Sequence, residues 1–149
     1  MAADTASVLI AAPAPTVFEF MSDPSRLDLW SFGTWKIEVQ QDGLVCGHSL
    51  QTGDHIWVRI VADPEAGLID YYLGGNPDNL APRIFARIVP GDVTGHGSGQ
   101  ATLILTALRT AEMDDARWGR MVRAHAFEVD VVKSLIETGH DHRMRSDLD

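Results

Sequence analysis

The sequence is short of cysteine and of positive charge, and each shortage excludes whole classes of protein. Cys46 is its single cysteine, so no disulfide within the chain can staple it. Lysine and arginine number 12 against 21 aspartates and glutamates, a formal net charge of −9. That sign opposes any binding that works by neutralising phosphates, which sets nucleic acid and the membrane surface aside as partners. No run of about 18 apolar residues is present to cross a bilayer. The N-terminus carries no basic stretch followed by a signal-type apolar core, so a cytoplasmic protein is expected. Internal repeats, low-complexity tracts and dividing linkers are missing too. What remains is a chain of 149 residues, 45% hydrophobic and 22% charged, the usage of one globular domain. A chain of this size buries about 68–70% of its unfolded surface and needs neither disulfide nor structural metal to fold.

Residues 6–12 carry Val8, Leu9 and Ile10 and stop at Pro13 and Pro15, which reads as a strand ended by residues that cannot donate to a ladder. From Ala14 the period changes. Val17, Phe18 and Met21 recur at helical spacing, with Pro15 in the first turn, until Ser22-Asp23-Pro24 breaks the run. Ser22 or Asp23 then caps a second short helix with Leu27 and Trp30 on its buried side. Turn signals divide the next stretch into strands at about 35–40, 44–51, 55–62, 68–74, 83–89 and 101–109, and their short connections favour an antiparallel meander. In the fifth of these, alternation places Ile84, Ala86 and Ile88 toward the core and Arg83 and Arg87 toward solvent. Residues 114–138 form a long amphipathic helix. At about 100° per residue, Trp118, Met121, Val122, His125, Val129, Val132 and Ile136 share one stripe, while Arg117, Arg120, Arg123 and Asp130 lie outside it. The expected domain covers residues 1–139, and a polar, frayed tail follows over 140–149.

A strand, two short helices, six antiparallel strands and a long terminal helix is the element order of the helix-grip fold. With that order, the run from Ser7 to Pro24, the Val61-Ala62-Asp63-Pro64 turn and the terminal helix resemble the START and birch-pollen-allergen superfamily, often called SRPBCC. Within it, the chain is most similar to the bacterial polyketide cyclases and dehydrases, over about residues 7–137. The resemblance implies an α+β domain in which a curved seven-stranded antiparallel sheet wraps the C-terminal helix, with two short helices between strands 1 and 2 and a cavity inside. Three activities are compatible with it, because this fold narrows the kind of site more than the chemistry. The first is binding of a small hydrophobic or aromatic molecule. The second is cofactor-free cyclase or dehydratase chemistry on a polyketide-like or aromatic substrate. The third is a chaperone- or toxin-like protein-interaction module. A small hydrophobic molecule is the expected partner, no cofactor is required, and a homodimer is compatible with the reading.

His125 lies near the centre of the helix stripe and so points at the sheet. A cavity histidine titrates near neutrality and can exchange protons with a ligand, as dehydration or aldol cyclisation requires. Glu128, at i+3 on the edge of the same stripe, is placed to orient His125 or to hold its charged form. The position equally suits a buried neutral imidazole bonded to a backbone carbonyl or a water. Trp57, Tyr71, Trp118, Met121 and Val122 join His125 as candidate cavity-lining residues, supplying surface of the kind found in small-molecule pockets. A helix on a sheet needs such side chains for packing as well. Tyr71 is preferred over Tyr72 because Ile69, Tyr71 and Leu73 form the more apolar alternate set. His48 and His55 flank a turn: a two-residue Thr52-Gly53 loop sets His48 opposite Trp57, and a three-residue loop sets it opposite Val58. Neither register brings a third ligand, so no metal site is expected, and His140-Asp141-His142 falls in the tail. Cys46 has no helix N-terminus or basic partner to make it a nucleophile. The glycine-rich residues 91–99 match no phosphate-binding pattern and read as a hairpin loop.

Overall fold

Pro13 stands between the first strand and the first helix, and Pro15 in the helix's first turn, in the computed structural model, which describes residues 1–143. Strand β1 (Ala3–Ile10) leads into α1 (Ala14–Ser22), a 3-10 turn over Pro24–Arg26 and α2 (Leu27–Trp30). The meander follows as β2 (Trp35–Val39), β3 (Val45–His48), β4 (His55–Asp63), β5 (Leu68–Gly74), β6 (Ala81–Pro90) and β7 (Ala101–Leu108), and α3 (Asp115–Thr138) ends it. The seven strands form one open antiparallel sheet in the order β1-β7-β6-β5-β4-β3-β2. Strands β2 to β6 each pair with their successor, and β1 alone crosses the molecule to pair with β7.

Strand β1 starts before the hydrophobic run does. Ala3, Asp4 and Thr5 pair with Leu108, Ala107 and Thr106, and the Thr5 and Thr106 hydroxyls bond at 2.9 Å. Backbone pairing extends the strand where side-chain polarity gives no sign of it. Helix α3 is bounded as its sequence dictates: the Asp114 side chain accepts from the Arg117 N–H at 2.7 Å, and Gly139 closes the helix at φ 69° with its N–H on the Leu135 carbonyl. The helix packs across β1 and β7, burying Val129, Val132 and Leu135 in the core with Ile10, Leu103 and Leu105. Arg120 and Phe127 face away, Phe127 being 58% exposed.

Three local expectations are corrected. His48 pairs directly with His55, with the rings 4.5 Å apart, in neither of the anticipated registers. The connection is longer than two or three residues because Ser49 folds it back on itself, accepting the Gly53 N–H at its carbonyl and the Gln51 and Thr52 N–H groups at its hydroxyl. In β6, Tyr71 of β5 faces Ile84 and Tyr72 faces Pro82, so Arg83 is the extra residue of a β-bulge. Simple alternation holds from Ile84 to Ile88 and fails at Arg83. The start of the tail is also docked rather than frayed: His142 donates to the Leu29 carbonyl at 3.0 Å, and Arg143 pairs with Asp28 at 2.8 Å. Residues 144–149 of the expected tail lie outside the described residues. Among those that are described, no helix is long and apolar enough to cross a membrane.

Candidate functional site

Between the N-terminal half of α3 and the β4–β6 part of the sheet lies a cavity of about 410 Å³. Ile56 and Val58 of β4, Tyr71 and Leu73 of β5 and Ile84 of β6 form its sheet wall. Helix α3 contributes Arg117, Met121, Ala124, His125 and Glu128. Residues Trp30 to Thr34 after α2, with the β3–β4 connection, close the remaining side.

The inward tyrosine is spoken for. Its hydroxyl donates to the Met21 carbonyl at 2.7 Å, tying β5 to α1, and its ring meets the Trp30 edge at a centroid distance of 5.9 Å. Burial, reinforced by the charge of Glu128, pushes the Tyr71 phenol far above its ordinary range, so it stays protonated. His125 is 3% exposed and its Nδ1 is buried without a partner. Burial holds its pKa below the usual imidazole value, against a smaller opposing pull from Asp4, which leaves the ring neutral at pH 7. Glu128 is 5% exposed, and burial alone pushes its carboxyl up to about 8. At neutral pH it is therefore mostly a protonated acid, a hydrogen-bond donor rather than a charge.

The structure places Tyr71, Met121, His125 and Glu128 around one cavity and sends the other expected lining residues elsewhere. Trp57 sits opposite Cys46 and Gly74, on the face of β4 away from Val58. The criterion that chose Tyr71 over Tyr72 would have excluded it, since Ile56, Val58 and Ile60 are the more apolar alternate set. Trp118 and Val122 pack in a separate cluster with Ala107 and Met113, and the Arg109 guanidinium lies 6.0 Å from the Trp118 ring. Glu128 does not orient His125 either: no hydrogen bond or charge effect links the two. His48 and His55 stay outside the cavity, and among the described residues no three potential ligands gather to hold a metal.

The residue that sequence reasoning sent to the wrong side is Arg83. The bulge rotates it into the cavity lining, where its Nε is buried without a partner and one terminal nitrogen donates to the Leu73 carbonyl at 2.9 Å. Pro82 was the available signal, because a proline inside a strand marks an edge or a bulge.

No family profile and no curated protein matches the chain by sequence. Solved structures do match it, through shape. An aromatase/cyclase from Streptomyces, Zhui, superposes with a TM-score of 0.67 at 20% identity, covering 98% of this chain and 97% of that one. A START superfamily protein from Mycobacterium smegmatis superposes with a TM-score of 0.62 at 15% identity, over 94% of this chain and 100% of that one. The chain has the helix-grip fold. The di-domain aromatase/cyclase BexL carries the fold as well, with a TM-score of 0.65 at 16% identity over 92% of this chain and 47% of that protein. At these identities the likeness is one of helix-grip architecture, and the chemistry of the site rests on the residues that line it.

Proposed function

We propose that this helix-grip protein binds a small, largely apolar and partly aromatic molecule in the cavity beneath α3. The observation that carries the reading is the cavity itself, about 410 Å³, with an apolar wall of Trp30, Ile56, Val58, Leu73, Ile84 and Met121 facing polar groups on α3 and on the β3–β4 connection. That volume falls in the range of about 300–1,000 Å³ that takes small ligands, and an apolar wall with a few convergent polar groups is the usual composition. An interaction module would have a filled interior, and the open volume speaks against it.

A second reading has its own observation. Glu128, mostly protonated at neutral pH, and neutral His125 stand on the same cavity wall as a proton donor and a proton acceptor, the pairing that cofactor-free cyclisation or dehydration needs. The aromatase/cyclases among the structural neighbours support it in kind. Binding is common to both readings and is tested first. N-phenyl-1-naphthylamine, an uncharged apolar fluorophore, is expected to bind saturably to the full chain. Ala124→Trp, which fills the cavity from α3, is expected to abolish that signal while the thermal midpoint is kept. A probe that binds both proteins equally would place its site elsewhere and end the cavity reading.

A further inference from the structure

The cavity reading leaves one of its wall residues unexplained. Arg83 reaches the interior only because β6 gives up a ladder position to a bulge, and bulges beside functional sites commonly re-aim a side chain. A guanidinium has five N–H donors, and here one is spent on the Leu73 carbonyl while Nε is buried and unpartnered. Arg117 of α3 lines the same cavity, and neither arginine forms an ion pair with a described carboxylate. Burial and the Arg117 charge both act against the Arg83 cation, and the exposed Glu112 acts for it from a longer range. In a chain of net charge −9, two arginines at one end of the cavity without an ion-pair partner among the described residues stand out.

We infer that the cavity takes a carboxylic acid, its carboxylate held by Arg83 and Arg117 and its apolar body lying along α3 toward Tyr71 and Glu128. The inference rests on the proposal that this cavity is a ligand site. A planar guanidinium matches a carboxylate in geometry. Glu112, near Arg83, and Asp54, in the cavity lining, offset much of the charge of the two arginines, which suits a monoanion better than a phosphate dianion. Arg117 and Glu128 are eleven residues apart, roughly 16 Å along a helix axis, so the charged and donor ends of the site are well separated. The ligand is thus polarised: an acid at the bulge end, an aromatic or aliphatic body in the middle.

The test compares 2-naphthoate with 2-naphthamide, which have nearly the same shape and differ in charge, as competitors for N-phenyl-1-naphthylamine on the full chain. The acid is expected to compete about tenfold more tightly than the amide, the worth of a charge-assisted hydrogen bond. Arg83→Met is expected to remove that preference, read as the ratio of the two competitors' affinities for the same protein, and Arg87→Met, on the solvent side of β6, is expected to leave the ratio as it is. Should Arg83→Met fail to fold, Arg117→Gln at its exposed helix position is expected to cut the preference several-fold. Equal competition by acid and amide, with the fluorophore still bound, overturns the carboxylate inference alone, as does a preference that survives the arginine variants. Failure of the fluorophore to bind removes the cavity reading and this inference together.

Discussion

Glu128 and Val129 are neighbours on α3, are buried to nearly the same extent, and live in opposite surroundings. Val129 opens the half of the helix that packs on the sheet, where Val132 and Leu135 follow it into the core. Glu128 closes the half that walls the cavity, together with His125, Ala124 and Met121. Low solvent exposure thus has two meanings along one helix. In the packed half it reflects contact with apolar neighbours on all sides. In the cavity half it reflects enclosure around a space, and an enclosed space tolerates a carboxyl and an unpartnered imidazole that a filled core would reject.

The largest expected effect comes from moving the chemistry of one half into the other. Val129→Asp puts a carboxylate one residue beyond Glu128, in the packed half, and is expected to cost about 3–5 kcal/mol or to unfold the domain, given a total stability of roughly 5–15 kcal/mol. Thermal melting at pH 7 checks it. A midpoint near wild type would erase the distinction between the halves.

An effect of opposite sign, confined to alkaline pH, belongs to Glu128 itself. Its folded pKa is raised from 4.5 to about 8, so the folded state holds its proton more tightly than the unfolded chain does. The corresponding stability is fully present below pH 4.5 and is lost as pH rises through about 8. Glu128→Gln is therefore expected to be more stable than wild type above pH 8, by on the order of 3–5 kcal/mol if the whole shift is realised, and to show a flatter decline between acid and alkaline pH. Urea unfolding at pH 5, 7 and 9 reads this directly, and parallel pH profiles for the two proteins would mean that the carboxyl is hydrated.

The mildest change tests the imidazole. His125 has its pKa lowered by burial, so its contribution is present above pH 6.5 and is lost as acid protonates the unfolded chain in preference to the folded one. Because Nδ1 has no partner to leave stranded, His125→Phe is expected to keep the pH 7 stability within about 1 kcal/mol or to raise it, and to lessen the acid sensitivity below pH 6.5. It is also expected to weaken binding of N-phenyl-1-naphthylamine by filling part of the wall. Unaltered probe affinity in a destabilised variant would make His125 a packing residue of the core.

Periodicity made the scaffold legible. The order of elements, the bounds of β5 and the buried stripe of α3 follow from residue spacing, since each depends on one element burying one face. The candidate site was less legible, because its composition depends on which elements leave a space between them. Trp118 lies on the same stripe as His125, yet it meets Met113 and Ala107 while His125 meets the cavity. That difference arises from the segment preceding α3 and is invisible in the helix pattern. Arg83 escaped for another reason: the inserted residue turns it to the side of Ile84, while Ala86, Arg87 and Ile88 keep the facing that alternation gives them, and only Pro82 hinted at the insertion. The His48–His55 pairing depended on hydrogen bonds made by Ser49 within the loop, a detail below the resolution of turn propensities.

The pairing of β1 with β7 has a bearing on how the chain reaches this state. Ala3 finds Leu108 only after a hundred residues have been made, and α3, which covers both strands, is made later still. On the ribosome the meander from β2 onward can form hairpin by hairpin, each closing a short loop, while the first strand waits without a neighbour. The rate of spontaneous folding is then governed by closure of that long loop rather than by any of the turns. Joining the ends of the chain and opening it between β1 and α1 would shorten the loop between Leu108 and Ala3 to less than half its length and ease its closure, with α3 then made before β1.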